Sequence, residues 1–221
     1  ARALADKLMV DTSTAVDPVE DPAAARFELA AWDGASVRGV KSGTLTEARR
    51  VGDLPPGVYR LTLELPRRSG VPLRGEAWVP LWPWRVERYE LDRPDAGRWR
   101  EVRANHKAPQ RELAALALGD GWTLYAGPGG QRQNFGLVAT ASVDLPAGKY
   151  RVAATSDDGV CVFVDDRPLI QAWAPRPATT DEAVVELGPG RHEWRVEYFN
   201  AAGEFHLSLE LAPETRRLPS R

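Results

Sequence analysis

The chain is 221 residues long, enough for one large domain or two small ones, and with 43% apolar residues it can bury a sizeable core. Its 29 basic residues against 31 acidic ones leave a net charge of −2, so no field gathers nucleic acid or an anionic membrane. With a single cysteine, Cys161, no intrachain disulfide can form, and no stretch approaches the roughly 20 apolar residues of a membrane helix.

Residues 1–25 read as a leader or linker. Ala3 to Met9 is compatible with one or two helical turns, and Asp17-Pro18 and Asp21-Pro22 then break regular structure. The opening Ala1-Arg2-Ala3-Leu4 has neither Met nor the apolar segment of a signal peptide, so the chain is read as a piece of something longer. From Arg26 the period becomes that of strands. Arg26 to Ala30 alternates, and Gly57 to Leu65 places Tyr59, Leu61, Leu63 and Leu65 on one face. The turn ahead of it, Asp53-Leu54-Pro55-Pro56-Gly57, combines proline's fixed φ with glycine's freedom.

Ala77 to Trp84 carries Trp78, Trp82 and Trp84, interrupted by Pro80 and Pro83. Proline donates nothing to a ladder, so an edge strand, a bulged strand or a loop is expected here. The three indoles form either an exposed platform for stacking sugars or an apolar seam between two sub-domains, and tryptophan's usual burial favours the seam. Trp99 follows shortly after. Pro109 to Leu118 fits the helical and the strand period equally, and both stay open.

Beyond Gly119, strands are predicted over 135–143, 149–155, 160–164, 183–187, 192–199 and 205–211. Leu145-Pro146-Ala147-Gly148, Asp157-Asp158-Gly159, Asp165-Asp166-Arg167-Pro168 and Gly188-Pro189-Gly190-Arg191 separate them. Many short strands at this spacing mean an antiparallel sandwich or barrel. Cys161, within Val160-Cys161-Val162-Phe163-Val164, reads as a small buried hydrophobe. One echo links the two halves: Asp53-Leu54-Pro55-Pro56-Gly57-Val58-Tyr59-Arg60 is similar to Asp144-Leu145-Pro146-Ala147-Gly148-Lys149-Tyr150-Arg151.

Tyr150 to Trp173 contains a strand, then Ser156-Asp157-Asp158-Gly159, a second strand, the Asp165-Asp166 turn, and a third strand ending in Trp173. This resembles the central motif of the anthrax protective antigen (PA-fourteen) domain family. Val185-Glu186-Leu187-Gly188-Pro189-Gly190 and Arg195-Val196-Glu197-Tyr198-Phe199 are similar to the family's next two strands, so the likeness covers roughly 119–213. It implies an all-β fold, an antiparallel and lectin-like β-sandwich, of the kind found in secreted and surface proteins such as toxins, glycosidases and adhesins. In the sugar-binding adhesins of the family, paired aspartates joined by a cis peptide hold calcium. A second loop adds an Asn and backbone carbonyls, and sugar hydroxyls complete the shell.

Carried onto matching positions, Asp157 and Asp158 are the paired acids and Asn200 the second-loop amide, making these three the candidate metal and ligand residues. The chemistry is coherent, because calcium takes about six to eight oxygen ligands from carboxylates, amides and carbonyls. The competing reading makes Asp-Asp-Gly an ordinary turn, its aspartates bonding nearby amides and Gly159 adopting positive φ. Ala201-Ala202-Gly203 departs from the family by offering no large side chain to a sugar. Trp173 is read as core or half-exposed rim, with stacking on a ligand as the sharper alternative. Asp165 and Asp166 are read as turn formers.

Nothing points to catalysis. His106, His192 and His206 lack metal spacing, and there is no Gly-x-Ser-x-Gly elbow. Gly127-Pro128-Gly129-Gly130 has no following lysine and reads as a loop, not a phosphate cradle. The expected organisation is a leader over 1–25, a smaller β-rich region over 26–110, the sandwich over 111–213, and a tail over 214–221. The expected function is a non-catalytic recognition module of an exported or cell-surface bacterial protein, extracellular or periplasmic. Its partners would be a glycan or other surface ligand and further domains of the same parent, with calcium as cofactor, no nucleic acid and no membrane insertion of this segment. The alternative is a structural or protein-interaction domain with no ligand site.

Overall fold

The structure, a computed structural model, describes residues 25–44, 54–67, 70–90, 111–115, 135–203 and 205–214. The expectations placed on Ala3 to Met9, Trp99, His106 and Gly127 to Gly130 lie outside these residues. No helix occurs among the described residues, so none is long and apolar enough to cross a membrane. The chain divides into two compact units, Ala1–Leu81 and Trp82–Arg221.

The first unit holds β1 (Arg26–Trp32), β2 (Val37–Thr44), β3 (Gly57–Leu65) and β4 (Leu73–Leu81), antiparallel in the order β2-β1-β3-β4. The alternation read from β3 is the burial pattern itself. Tyr59, Leu61 and Leu63 join Phe27 and Leu29 in one apolar cluster, while Arg60, Thr62 and Glu64 are half-exposed. Pro80 lies on β4, and β4 is an edge strand, as a residue without an N–H requires. Trp78 is half-buried and meets Trp32 edge to face at 6.3 Å. Asp33 closes the β1–β2 turn, its Oδ1 accepting from the amides of Ala35 (3.0 Å) and Ser36 (2.8 Å).

The second unit contributes β5 (Trp84–Glu90), β6 (Arg111–Ala115), β7 (Phe135–Leu145), β8 (Gly148–Asp157), β9 (Gly159–Val164), β10 (Arg167–Ala172), β11 (Thr179–Leu187), β12 (Gly190–Asn200) and β13 (His206–Pro213). A six-stranded antiparallel sheet runs β10-β9-β12-β7-β5-β6, and a three-stranded one runs β11-β8-β13. This is the expected antiparallel β-sandwich. Val160, Val162 and Val164 of β9 and Trp194, Val196 and Tyr198 of β12 are buried, as are Tyr150, Val152 and Ala154 of β8 and Leu207, Leu209 and Leu211 of β13. Cys161 is buried.

One boundary differs from the expected one and one open assignment is settled, both for the same reason. β5 lies within the stretch assigned to the first region, 26–110, yet it hydrogen-bonds to β7 over Arg85–Glu90, and the units divide at Leu81. The open segment 109–118 contains strand β6, which among the described residues pairs with β5. Pairing with a distant strand decided both, and no local period records it. Trp82 and Trp84 are fully buried in this unit, with Trp82 centred 5.4 Å from Trp84 and 5.0 Å from Trp194. They are core side chains, not an exposed platform.

Candidate functional site

The Ser156-Asp157-Asp158-Gly159 segment is a corner between sheets. β8 belongs to the three-stranded sheet and β9 to the six-stranded one, and Asp158 alone separates them. The peptide between Asp157 and Asp158 is cis, as the family resemblance implied. Gly159 is not among the positive-φ glycines, so the handedness expected of an ordinary turn does not apply. It is glycine because Phe199 lies on it. A Cβ there would sit 3.0 Å from Cδ1 and Cζ of the ring and closer still to Cε1. Phe199 is in turn met by Trp173 at 4.7 Å, edge to face.

Two further chain crossings between the sheets meet this corner. β10 leads to β11 through residues 173–178, and β12 leads to β13 through residues 201–205. The Asp158 carboxylate joins them: Oδ1 accepts from the Arg176 amide at 2.9 Å and Oδ2 from the Ala201 amide at 2.7 Å. Its backbone carbonyl accepts from the Ser156 hydroxyl at 2.8 Å, and the Tyr198 hydroxyl donates to the Asp157 carbonyl. Burial, reinforced by the charges of Asp157 and Asp158, pushes the Tyr198 hydroxyl far above its ordinary pKa, so it stays a donor.

The structure therefore brings the expected residues to one end of the sandwich. Asp158 is 7% exposed, Asp157 half-buried and Asn200 fully buried, the last directly preceding the Ala201 amide that holds Asp158. Trp173 is half-buried and packs against Phe199. Asp157, Asp158 and Asn200 would offer a cation hard oxygens only: two carboxylates and an amide oxygen. Among the described residues no three His, Cys, Asp or Glu side chains gather as a metal group. That composition fits calcium and not a thiolate- or imidazole-seeking metal. The two amides on Asp158 use two of its about four lone-pair directions, so capacity for a cation remains.

Four contributors were not legible as such in the sequence: Ser156, Tyr198, Arg176 and Asp181. Arg176 has one local signal, its place between Pro175 and Pro177, which favours extended backbone. Asp165 and Asp166 fall at the other end of the sandwich with φ of 50° and 61°, a two-residue hairpin turn as expected. There Asp165 Oδ2 meets Nδ1 of His192 at 2.8 Å, and Nε2 of His192 reaches the Gly188 carbonyl at 2.9 Å.

The described second unit is an all-β antiparallel sandwich whose sheet crossings meet at Asp157-Asp158. Residues 117–218 match the PA14 domain. Among solved structures, the chain is similar to the PA14 domain of the antifreeze protein MpAFP, at 15% identity and a TM-score of 0.51, covering 62% of this chain and 84% of that one. It is also similar to the epithelial adhesin 9 A domain from Candida glabrata in complex with Galb1-4GlcNAc, at 14% identity, TM-score 0.49, covering 63% and 85%. A third match is a β-glucosidase from Kluyveromyces marxianus in complex with glucose, at 12% identity and TM-score 0.47, covering 60% of this chain but 16% of the enzyme. At 15% identity the likeness to the MpAFP domain establishes fold alone. No curated protein matches the chain in sequence.

Proposed function

We propose that the second unit is a non-catalytic recognition module of an exported or cell-surface protein, binding carbohydrate through a calcium ion held by Asp157, Asp158 and Asn200. The observation that supports this reading is the Asp158 carboxylate bonding the two other sheet crossings at the Asp157–Asp158 corner, with Asn200 buried next to the Ala201 amide that the carboxylate holds. Trp173 stands at the rim, where an indole face suits a sugar's apolar face. Further domains of the parent protein are the natural neighbours of such a module, including catalytic ones that it would serve as an accessory.

The test is a calcium titration of the whole chain by calorimetry and by melting. Calcium at about 100 times its dissociation constant should stabilise the second unit by about 2.7 kcal/mol, and Asp157→Asn should remove the effect while leaving the calcium-free protein folded. Glycan binding should appear with calcium and vanish with a chelator. If calcium neither binds nor shifts the melt, the cation site is refuted. A second reading has its own observation: both Asp158 oxygens cap backbone amides, as a purely structural staple would. It expects Asp158→Ala to loosen the corner in a protein indifferent to calcium.

A further inference from the structure

We infer that Arg176, locked by Asp181, is a positioning residue that holds the Asp157–Asp158 corner in readiness for a cation, acting through Asp158 and never touching the ion. This rests on the calcium reading above. The crossing from β10 to β11 places Arg176 eighteen residues beyond Asp158, yet it engages that residue twice directly and once through Ser156. Its amide holds the carboxylate at 2.9 Å, its Nε approaches the Asp158 carbonyl at 3.4 Å, and its Nη2 donates at 3.0 Å to the Ser156 hydroxyl that also holds that carbonyl.

The same guanidinium forks onto Asp181, with Nη1 to Oδ1 at 3.2 Å and Nη2 to Oδ2. A planar fork on a carboxylate fixes the guanidinium more firmly than a single bond does. The two side chains are 19% and 28% exposed, so the pair is partly sheltered from solvent. The arrangement solves a particular difficulty. An arginine near a divalent cation repels it, but Asp181 cancels that charge while leaving the remaining donors free to orient Asp158. Arg176 thus fixes the ligand's geometry at little electrostatic cost to the ion.

Geometry and charge predict opposite signs on substitution, which makes the inference decidable. Arg176→Gln leaves Asp181 unpaired and the corner one charge more negative, so charge alone predicts tighter calcium binding. Positioning predicts binding weaker by roughly 10–100-fold, as for other groups that orient metal ligands. Calorimetry on the whole chain reads the affinity. Hydrogen exchange of the Ala201 amide, in the calcium-free protein, reads the corner directly. We expect weaker binding together with faster Ala201 exchange, while amides of β3 keep their protection. Calcium affinity equal to or tighter than wild type overturns the inference. Should the wild type bind no calcium, the cation reading fails, and Ala201 exchange alone then decides: unchanged protection in Arg176→Gln overturns the latch. If Arg176→Gln does not fold, Arg176→Lys, which keeps the charge and loses the fork, replaces it, and wild-type values in both measurements overturn the latch.

Discussion

The two units begin a central strand in the same way and end it differently. In the first, the Tyr59 hydroxyl donates back to the Pro55 carbonyl at 2.6 Å. In the second, the Tyr150 hydroxyl donates to the Pro146 carbonyl at 2.7 Å, again four residues upstream. Both rings are buried, at 1% and 0% exposure, and each lies against the glycine two positions before it, Gly57 and Gly148. Both strands, β3 and β8, are internal to their sheets. The echo in the sequence is therefore a shared corner, built from a proline-bearing turn, a small residue and a tyrosine. Past that corner the likeness stops. β3 ends at Leu65 within its own sheet, whereas β8 runs into Asp157-Asp158 and crosses to the other. A corner can be made from eight residues of local sequence; a site needs the crossings of a completed sandwich.

The sharpest way to break the second unit alone is Gly159→Ala. The new methyl group meets the wedged Phe199 ring, which is 1% exposed and backed by Trp173, so the ring must shift in a packed site. Overpacking of this kind costs about 1–3 kcal/mol, and the upper half of that range is expected here. Urea unfolding followed by exchange of β9 and β12 amides should show the loss, with β1 and β3 amides unchanged. Wild-type stability would mean that the ring is not confined as described.

The shared corner is tested by Tyr59→Phe and Tyr150→Phe. Each removes one hydroxyl donor from a turn carbonyl and should cost about 1 kcal/mol, each in its own unit. If one substitution is silent, the two corners are alike in shape and not in energy.

The smallest effect separates the units by pH. Partial burial lowers the His192 pKa, but the Asp165 carboxylate and the Gly188 carbonyl on its two ring nitrogens, with the charges of Asp165 and Asp144, outweigh this and raise it above 6.5. Asp165 is also bonded by the Glu193 amide and sits near Arg167, and its own pKa is lowered, first by His192. A raised folded value means that the clamp's contribution is complete below the unfolded histidine pKa and is lost as pH rises through the folded one. Asp33 behaves oppositely. The Ala35 and Ser36 amides lower its pKa below 3.8, so its turn contributes above that value and weakens as pH falls through the folded one. Exchange measured across pH should loosen the β9–β10 and β11–β12 turns on the alkaline side and the β1–β2 turn on the acid side. His192→Asn should abolish only the first.

Legibility followed the range of the interactions. The strands β3, β9 and β12 were readable because an alternating face is a local pattern, and Asp165-Asp166 because two successive positive-φ residues suit a short polar turn. β2, with its largely exposed Val-Arg-Gly-Val-Lys-Ser-Gly-Thr, carries no such pattern and went unread. Asp157, Asp158 and Asn200 were assigned through a family motif. Arg176 and Asp181 were not, because nothing within a few residues of either points to Asp158.

By itself the sequence determined the all-β class, the alternating strand faces and the short polar turns, all of which depend on φ preferences and on side chains two to four residues apart. The tertiary structure alone decided that β5 pairs with β7, that Trp82 and Trp84 are buried against Trp194, and that three sheet crossings close on one carboxylate. Those outcomes depend on contacts between segments far apart in the chain, which form only when the sandwich closes, so no local spacing could encode them.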